Sequence, residues 1–209
     1  MMVADILSLV FHADTELAAV IHEYGIWIYL LIFIILFIEF GVVFLPLTGN
    51  SLLFVAGIAA ADGSIDLLSL FIVSVIAVYA GYAFSYFTGS YFGLKFLQDR
   101  YPTLFDEAHI TKTTAFFDRY GSEAIIISHF VPVVRKFAPF MAGIWRMDRK
   151  RFEIYNGAGS LAWVTPLLLV GYFAGKLPFF QAILPFLTII VAITIAVSLA
   201  ISFWMMRRK

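Results

Sequence analysis

Between residues 26 and 61 the chain carries one charged side chain, Glu39, in a run otherwise made almost entirely of aliphatic and aromatic residues. A helix needs about 20 apolar residues to cross the hydrocarbon of a bilayer. The run is too long for one such helix and too short for two with a turn between them. Pro46 and Gly49 break it. The reading that fits is a full helix to about residue 45, followed by a half-depth hairpin over about 46–61 that returns to the side it came from. Backbone of that kind at membrane depth is tolerated only inside protein or beside a water-filled cavity.

The same design recurs. Pro46 to Ile58 and Pro132 to Ile144 both read Pro, seven residues, Phe, one residue, Ala-Gly-Ile. An aspartate follows each, Asp62 and Asp148, and Tyr86-Phe87-Thr88-Gly89 is matched by Tyr172-Phe173-Ala174-Gly175 without a gap. Matched Pro, Gly, Asp and Tyr are harder to obtain from shared apolar bias than matched Leu or Val, so the pattern reads as an internal duplication. The second hairpin then lies at about 123–145, interrupted by Pro132 and Pro139.

Composition places the whole chain in the membrane class. Apolar residues make up 62% of the 209 positions, and mean hydropathy is +0.95, far above a soluble domain. The length suits one compact membrane domain. There is no cysteine, which excludes disulfides and thiolate chemistry. The N-terminal stretch has no basic residue, so no secretory leader is expected. Residues 1–25 hold Asp5, His12, Asp14, Glu16, His22 and Glu23 among apolar residues. They read as one or two short surface helices punctuated by Tyr24-Gly25, ahead of a single transmembrane domain over 26–206. Within it, 67–94 reads as a helix with small residues for close packing, Gly81, Ser85, Gly89 and Gly93. A surface amphipathic helix is expected at about 106–120, with Asp106 and Gly121 as caps. Helices follow at 154–175, with Pro166 as a kink, and at 186–206.

All fourteen Lys and Arg lie at or after Lys95. Short basic segments stay in the cytoplasm, which assigns 95–122, 145–152 and 207–209 to that side. The turn at 61–66 holds two Asp and neither Lys nor Arg, so it is expected outside. The two hairpins therefore face opposite ways. The expected fold is all-α and polytopic, with two opposed re-entrant helical hairpins in an inverted repeat, a layout used by secondary transporters with a midplane site.

Few residues within the apolar blocks can do chemistry. Glu39 is the one acid of the first block; an ionisable group at that depth is a functional hypothesis by default, here for proton coupling. The bland reading is a carboxylate reaching an interface or statically paired with Arg135. Arg135 lies three residues after a helix-breaking proline, and its planar fork suits phosphate or carboxylate; the bland reading is snorkelling to headgroups. Lys136 reads as a helper cation or, more simply, as a snorkelling side chain. His129, six residues before Arg135, can titrate near neutrality or serve as a hydrogen-bonded packing residue. Asn50 and Thr48, at the expected tip of the first hairpin, can bond a ligand or satisfy freed backbone. Tyr82, Tyr86 and Tyr172 read as interhelical hydrogen bonders. His12, His22 and His109 have no metal-ligand spacing, so no metal or other cofactor is expected. There is no nucleophile–base pair, so no enzyme is expected, and no nucleotide-binding loop, which excludes ATP-driven transport within this chain.

The residues now quoted carry a resemblance. Ser128-His129-Phe130-Val131-Pro132-Val133-Val134-Arg135-Lys136-Phe137-Ala138-Pro139-Phe140-Met141-Ala142-Gly143 resembles the S-R-F-x-P-x-x-R-x-x-x-P-x-x-A-G signature of the DedA family of bacterial inner-membrane proteins, the SNARE-associated or VTT domain group. Glu39-Phe40-Gly41, with Gly49 to Gly57, resembles that family's E-x-G followed by P-G-D/E-S-L-L-x-x-A-G, and Tyr86 to Gly93 resembles Y-x-x-G-x-x-x-G. The likeness covers roughly residues 10–206. It implies re-entrant hairpins and return of undecaprenyl phosphate between leaflets, with membrane homeostasis driven by the proton motive force. Glu39 matches the family's membrane acid, and Arg135 its second essential arginine. Four positions depart: Asn50 stands for Asp or Glu, His129 for the first arginine, Tyr82 for an Asp and Thr48 for a proline.

The expected function is translocation of a polyprenyl phosphate across the bacterial cytoplasmic membrane, with the C-terminus cytoplasmic. Arg135, helped by His129, Lys136, Asn50 and Thr48, would hold the phosphate, and Glu39 would gate or couple. An uncoupled lipid scramblase and a structural or partner-binding paralogue are the alternatives. The expected partners are a phosphate-bearing lipid and the membrane, without nucleic acid; protons as coupling ion and a homo-oligomer through Gly89-x-x-x-Gly93 stay open.

Overall fold

The computed structural model describes residues 13–42, 49–100, 107–179 and residue 193. The described segments are helical: α1 Ala13–Gly41, α2 Gly49–Ala61, α3 Leu67–Arg100, α4 Glu107–Tyr120, a 3-10 turn at Gly121–Glu123, α5 Ala124–Ser128, α6 Pro132–Ile144 and α7 Arg149–Gly175. Two of them, Leu67–Phe92 within α3 and Arg149–Gly175, are long and apolar enough to cross a membrane. Residues 1–12, Thr48, Asp106 and nearly all of the expected helix at 186–206 lie outside the described residues.

Several expected breaks do not occur. α1 runs straight through Tyr24-Gly25, because one glycine weakens a helix by only about 1 kcal/mol and does not stop it. α6 continues past Pro139, whereas Pro166 lies inside α7, within the helix expected around it. A proline in mid-helix removes one i→i−4 bond. Here Pro139, Ala138 and Phe140 are all buried, so packing on both sides outweighs that loss. α3 extends six residues beyond the expected end, to Arg100, and α7 starts at Arg149 instead of 154.

Local chemistry explains the ends that do form. Asp66 accepts the Ser69 N–H at 2.7 Å and starts α3; the Ser69 bonds hold its carboxyl below the ordinary aspartate value. Asp148 accepts the Arg151 N–H at 2.9 Å and starts α7. These are N-caps that satisfy orphan donors. Pro132 opens α6 from an extended Val131, where its missing N–H is no loss. Gly121, with φ +56°, closes α4 as expected. At the end of α6 the N–H groups of Arg146 and Met147 reach back to Gly143 and Ala142. That is a paired reversal normally built on glycine, yet Arg146 occupies the left-handed position at φ 52°.

Packing is set by backbone contact. α2 lies on α7, and α6 lies on α3. A Cβ on Gly57 would sit 2.7 Å from the Leu168 carbonyl oxygen, and one on Gly143 would overlap the Tyr86 carbonyl. The reverse approaches are equally tight: Gly171 meets the Phe54 carbonyl and Gly89 the Phe140 carbonyl. α1 crosses α3 at Gly41 and Gly81, where a Cβ on Gly81 would lie 2.9 Å from the Phe37 carbonyl oxygen. α4 is tied to the end of α6 by an edge-on contact of Phe117 with Trp145, centroids 5.2 Å apart. The core gathers Leu36, Phe40, Leu53, Val78, Tyr82, Phe152, Trp163 and Leu168. Ile26, Trp27, Leu31, Leu68, Ile72 and Ile76 point outward.

Candidate functional site

The last turn of α1 meets the first turns of α6 at a buried ion pair. Arg135 Nη2 lies 3.1 Å from Glu39 Oε1. Glu39 is fully buried and Arg135 is 9% exposed. Charges removed from water this far are stable only when paired; removing one partner of such a pair costs about 3–5 kcal/mol. The guanidinium is also covered by aromatic rings: its carbon lies 5.5 Å from the centroid of Phe40 and 5.9 Å from that of Trp163. Those two rings meet edge to face at 4.9 Å, so a wall of α1 and α7 aromatics backs the cation.

Lys136 does not snorkel. Its Nζ donates to the Glu39 carbonyl at 2.6 Å, in a half-buried position. That carbonyl belongs to the final turn of α1, where unsatisfied oxygens collect. A helix C-terminus favours a cation, and a helix N-terminus favours an anion. The arrangement uses both: α1 brings a carboxylate to the start of α6, and α6 brings an ammonium to the end of α1. Sequence alone could not see this, because the two ends are far apart in the chain.

His129 is fully buried, on the far side of a short aromatic cluster that includes Phe40. Its ring stacks on Tyr82 at 4.0 Å and lies 6.5 Å from Phe40, centroid to centroid. Nδ1 is 2.9 Å from the Ile125 carbonyl oxygen. Because a carbonyl only accepts, Nδ1 carries the proton, and the neutral ring presents Nε2 as a bare acceptor. Among the described residues Nε2 has no hydrogen-bond partner. Gly159 makes room for the ring; a Cβ there would lie 2.6 Å from Nδ1 and Cε1.

Around this centre are residues that sequence reasoning passed over. Asn156 donates to the Tyr79 carbonyl at 3.0 Å and receives Ser160 at 3.4 Å. Phe152, Asn156, Gly159, Ser160 and Trp163 share the buried face of α7. A polar Asn-Ser pair at helical spacing inside an apolar run was the available signal. Tyr79 donates to Glu153 across two helices, whereas Tyr86, expected to bond between helices, donates to the carbonyl of Met147 in the loop between α6 and α7 at 2.6 Å. Tyr82 approaches Ser128 at 3.5 Å. Of the first hairpin's expected contributors, Asn50 has only its backbone described, at the start of α2, and Thr48 lies outside the described residues.

The comparisons with known proteins agree with one another. The VTT domain model matches residues 45–173. The chain is 38% identical to Protein DedA of Escherichia coli K12 over 179 residues, 84% of this chain and 82% of that protein. It is 30% identical to the inner membrane protein YghB of the same strain, covering 85% and 81% of the two chains. A Mycobacterium tuberculosis membrane protein named as uncharacterized, Rv0364, is 35% identical over 71% and 66%. No solved structure matches the chain significantly. The matched span contains Arg135, His129 and both close-packing seams, and the chain belongs to the DedA family of VTT-domain membrane proteins.

Proposed function

We propose that this protein moves a polyprenyl phosphate between the leaflets of the cytoplasmic membrane, with Arg135 as the phosphate site and Glu39 as its gate. The observation that carries the reading is the buried Arg135–Glu39 pair. A phosphate oxygen is chemically the same kind of partner as the Glu39 carboxylate. Exchange of one for the other keeps the guanidinium satisfied at every stage, which is what moving an anion through an apolar interior requires. The positive end of α6, which begins at Pro132, adds backbone N–H groups on the same side. The opposed hairpins of an inverted repeat would let the site open to either face, with Gly63 outside and Asp148 and the C-terminus in the cytoplasm. The lipid tail stays in the bilayer.

Glu39 is also the group proposed to carry a coupled proton. The replacement of the family's second acid by Asn50 favours a second reading, an uncoupled scramblase. Proteoliposomes with a labelled polyprenyl phosphate, assayed from pH 6 to 8 with and without a pH gradient, separate the cases. Wild-type protein is expected to equilibrate the lipid, and Arg135→Lys to insert normally and lose most of that activity. An Arg135→Lys variant as active as wild type would return Arg135 to a purely structural role. In a coupled protein Glu39→Gln reduces the pH response; in a scramblase an imposed gradient drives no net accumulation.

A further inference from the structure

The turn between α6 and α7 carries positive charge at two places where the backbone disfavours it. Arg146 occupies the left-handed position at φ 52°, where an L side chain is strained and glycine is the ordinary residue. The first turn of α7 then carries Arg149, Lys150 and Arg151 and no acid, although the positive end of a helix dipole repels cations. A topology signal requires neither cost. It counts Lys and Arg over a short segment, so the charge of Arg146 would count equally at an unstrained neighbouring position. The fold does not use these side chains internally either. Arg146, Lys150 and Arg151 are exposed and have no ion-pair partner among the described residues. The nearby acids are engaged: Asp148 accepts the Arg151 N–H, and Glu153 receives Tyr79 and lies 3.6 Å from Arg149 Nε.

This basic turn sits at the ends of two apolar spans. One begins at Arg149, and the other, in α3, runs to Phe92. Trp145 is exposed beside the cations, as tryptophan is at a bilayer interface. The Arg149 guanidinium lies 4.9 Å from the Phe87 ring centroid. Phe87 and, one turn deeper in the span, Phe84 point outward from α3. An apolar strip therefore leads along the span up to the cations, which matches an amphiphile with an anionic head. We propose that Trp145, Arg146 and the first turn of α7 dock the headgroup of an anionic phospholipid of the surrounding leaflet, with an acyl chain along Phe87 and Phe84. The outward aromatics favour a lipid over a soluble anion or an acidic protein segment, for which the cations alone would suffice. The docked lipid is a neighbour and not cargo: Arg135 is buried, whereas this surface is exposed. Tyr86 anchors the turn through the Met147 carbonyl, and the turn ends the helix that carries Arg135, so the lipid braces the root of that helix. The inference goes beyond the transport reading and does not depend on it.

The test is quenching of Trp145 by brominated phosphatidylglycerol or brominated phosphatidylcholine in mixed detergent micelles. Each protein is measured against the same protein with Trp145→Phe. Phosphatidylglycerol should half-saturate the quenching at a mole fraction at least about tenfold below that of phosphatidylcholine, since each cation near a bilayer surface adds about fivefold. Arg146→Gly should raise the phosphatidylglycerol midpoint about fivefold. That variant relieves the backbone, so weaker docking in a protein no less heat-stable than wild type is not a folding defect. Lys176→Gln removes a cation at the other end of α7 and should leave the midpoint unchanged, as should Arg135→Lys. Millimolar inorganic phosphate should not displace the lipid. Equal midpoints for the two lipids in wild type, or equal losses in Arg146→Gly and Lys176→Gln, would overturn the inference. Displacement by inorganic phosphate would assign the surface to a soluble anion, and loss of quenching in Arg135→Lys would move the lipid to the buried pair; either result overturns it too.

Discussion

Residues 46–89 and 132–175 carry one pattern and have divided its uses. In both, the glycine of Ala-Gly-Ile lets a short helix touch the backbone of the other stretch's long helix: Gly57 on α7, Gly143 on α3. Phe54 and Phe140, at matched positions, offer their carbonyls to Gly171 and Gly89 in return. Chemistry is not shared in this way. Opposite Arg135 and Lys136 stand Gly49 and Asn50, and Glu39 arrives from α1, outside both stretches. The helix ends have also drifted. Asp148 caps α7, whereas its counterpart Asp62 receives Ser64 in the turn and leaves the cap of α3 to Asp66. The left-handed residue is Gly63 in one turn and Arg146 in the other. Close backbone contact admits one kind of residue at each glycine. A binding charge, by contrast, is needed only once, so the packing is common and the cations are not.

Breaking the charged half should have the largest effect. Glu39→Leu leaves Arg135 buried without its carboxylate and is expected to cost about 3–5 kcal/mol in reversible unfolding, whereas Glu39→Leu with Arg135→Leu should regain most of it. A single variant as stable as wild type would mean that the pair is not closed in the folded protein.

The shared packing should respond next. Gly57→Ala and Gly143→Ala each place a Cβ against backbone and should lose about 1–3 kcal/mol, to similar extents. Gly25→Ala, where a Cβ meets nothing within 4 Å, serves as the control and should not destabilise. A tolerated change at one seam alone would show that the two halves are not packed alike.

The turns offer the smallest and sharpest contrast. Arg146→Gly should stabilise by about 1 kcal/mol, because an L side chain in the left-handed region is strained, and Gly63→Ala should lose about as much. Thermal shifts of opposite sign are expected for the two.

Much of this was legible beforehand for a physical reason. Hydrophobic length reveals membrane helices, the Ser128-to-Gly143 motif reveals the family, and the isolation of Glu39 and Arg135 in apolar runs marked the two charges that the fold joins. What was hidden depended on partners distant in sequence. Lys136 looked like a snorkelling side chain until α1's last carbonyls came within reach. Asn156 and Ser160 were lost in an apolar helix because only the Tyr79 carbonyl and their own hydrogen bond give them a purpose. Pro139 looked like a break because propensity cannot weigh the burial on either side of it.

Exchange at Arg135 is tested most directly by the affinity of a polyprenyl phosphate for wild-type protein, Glu39→Gln and Arg135→Lys under one condition. If the carboxylate and the phosphate compete for the same fork, Glu39→Gln should bind the lipid about tenfold more tightly than wild type, and Arg135→Lys should bind it far more weakly. Unchanged affinity in Glu39→Gln, in a folded protein whose binding still depends on Arg135, would contradict the exchange.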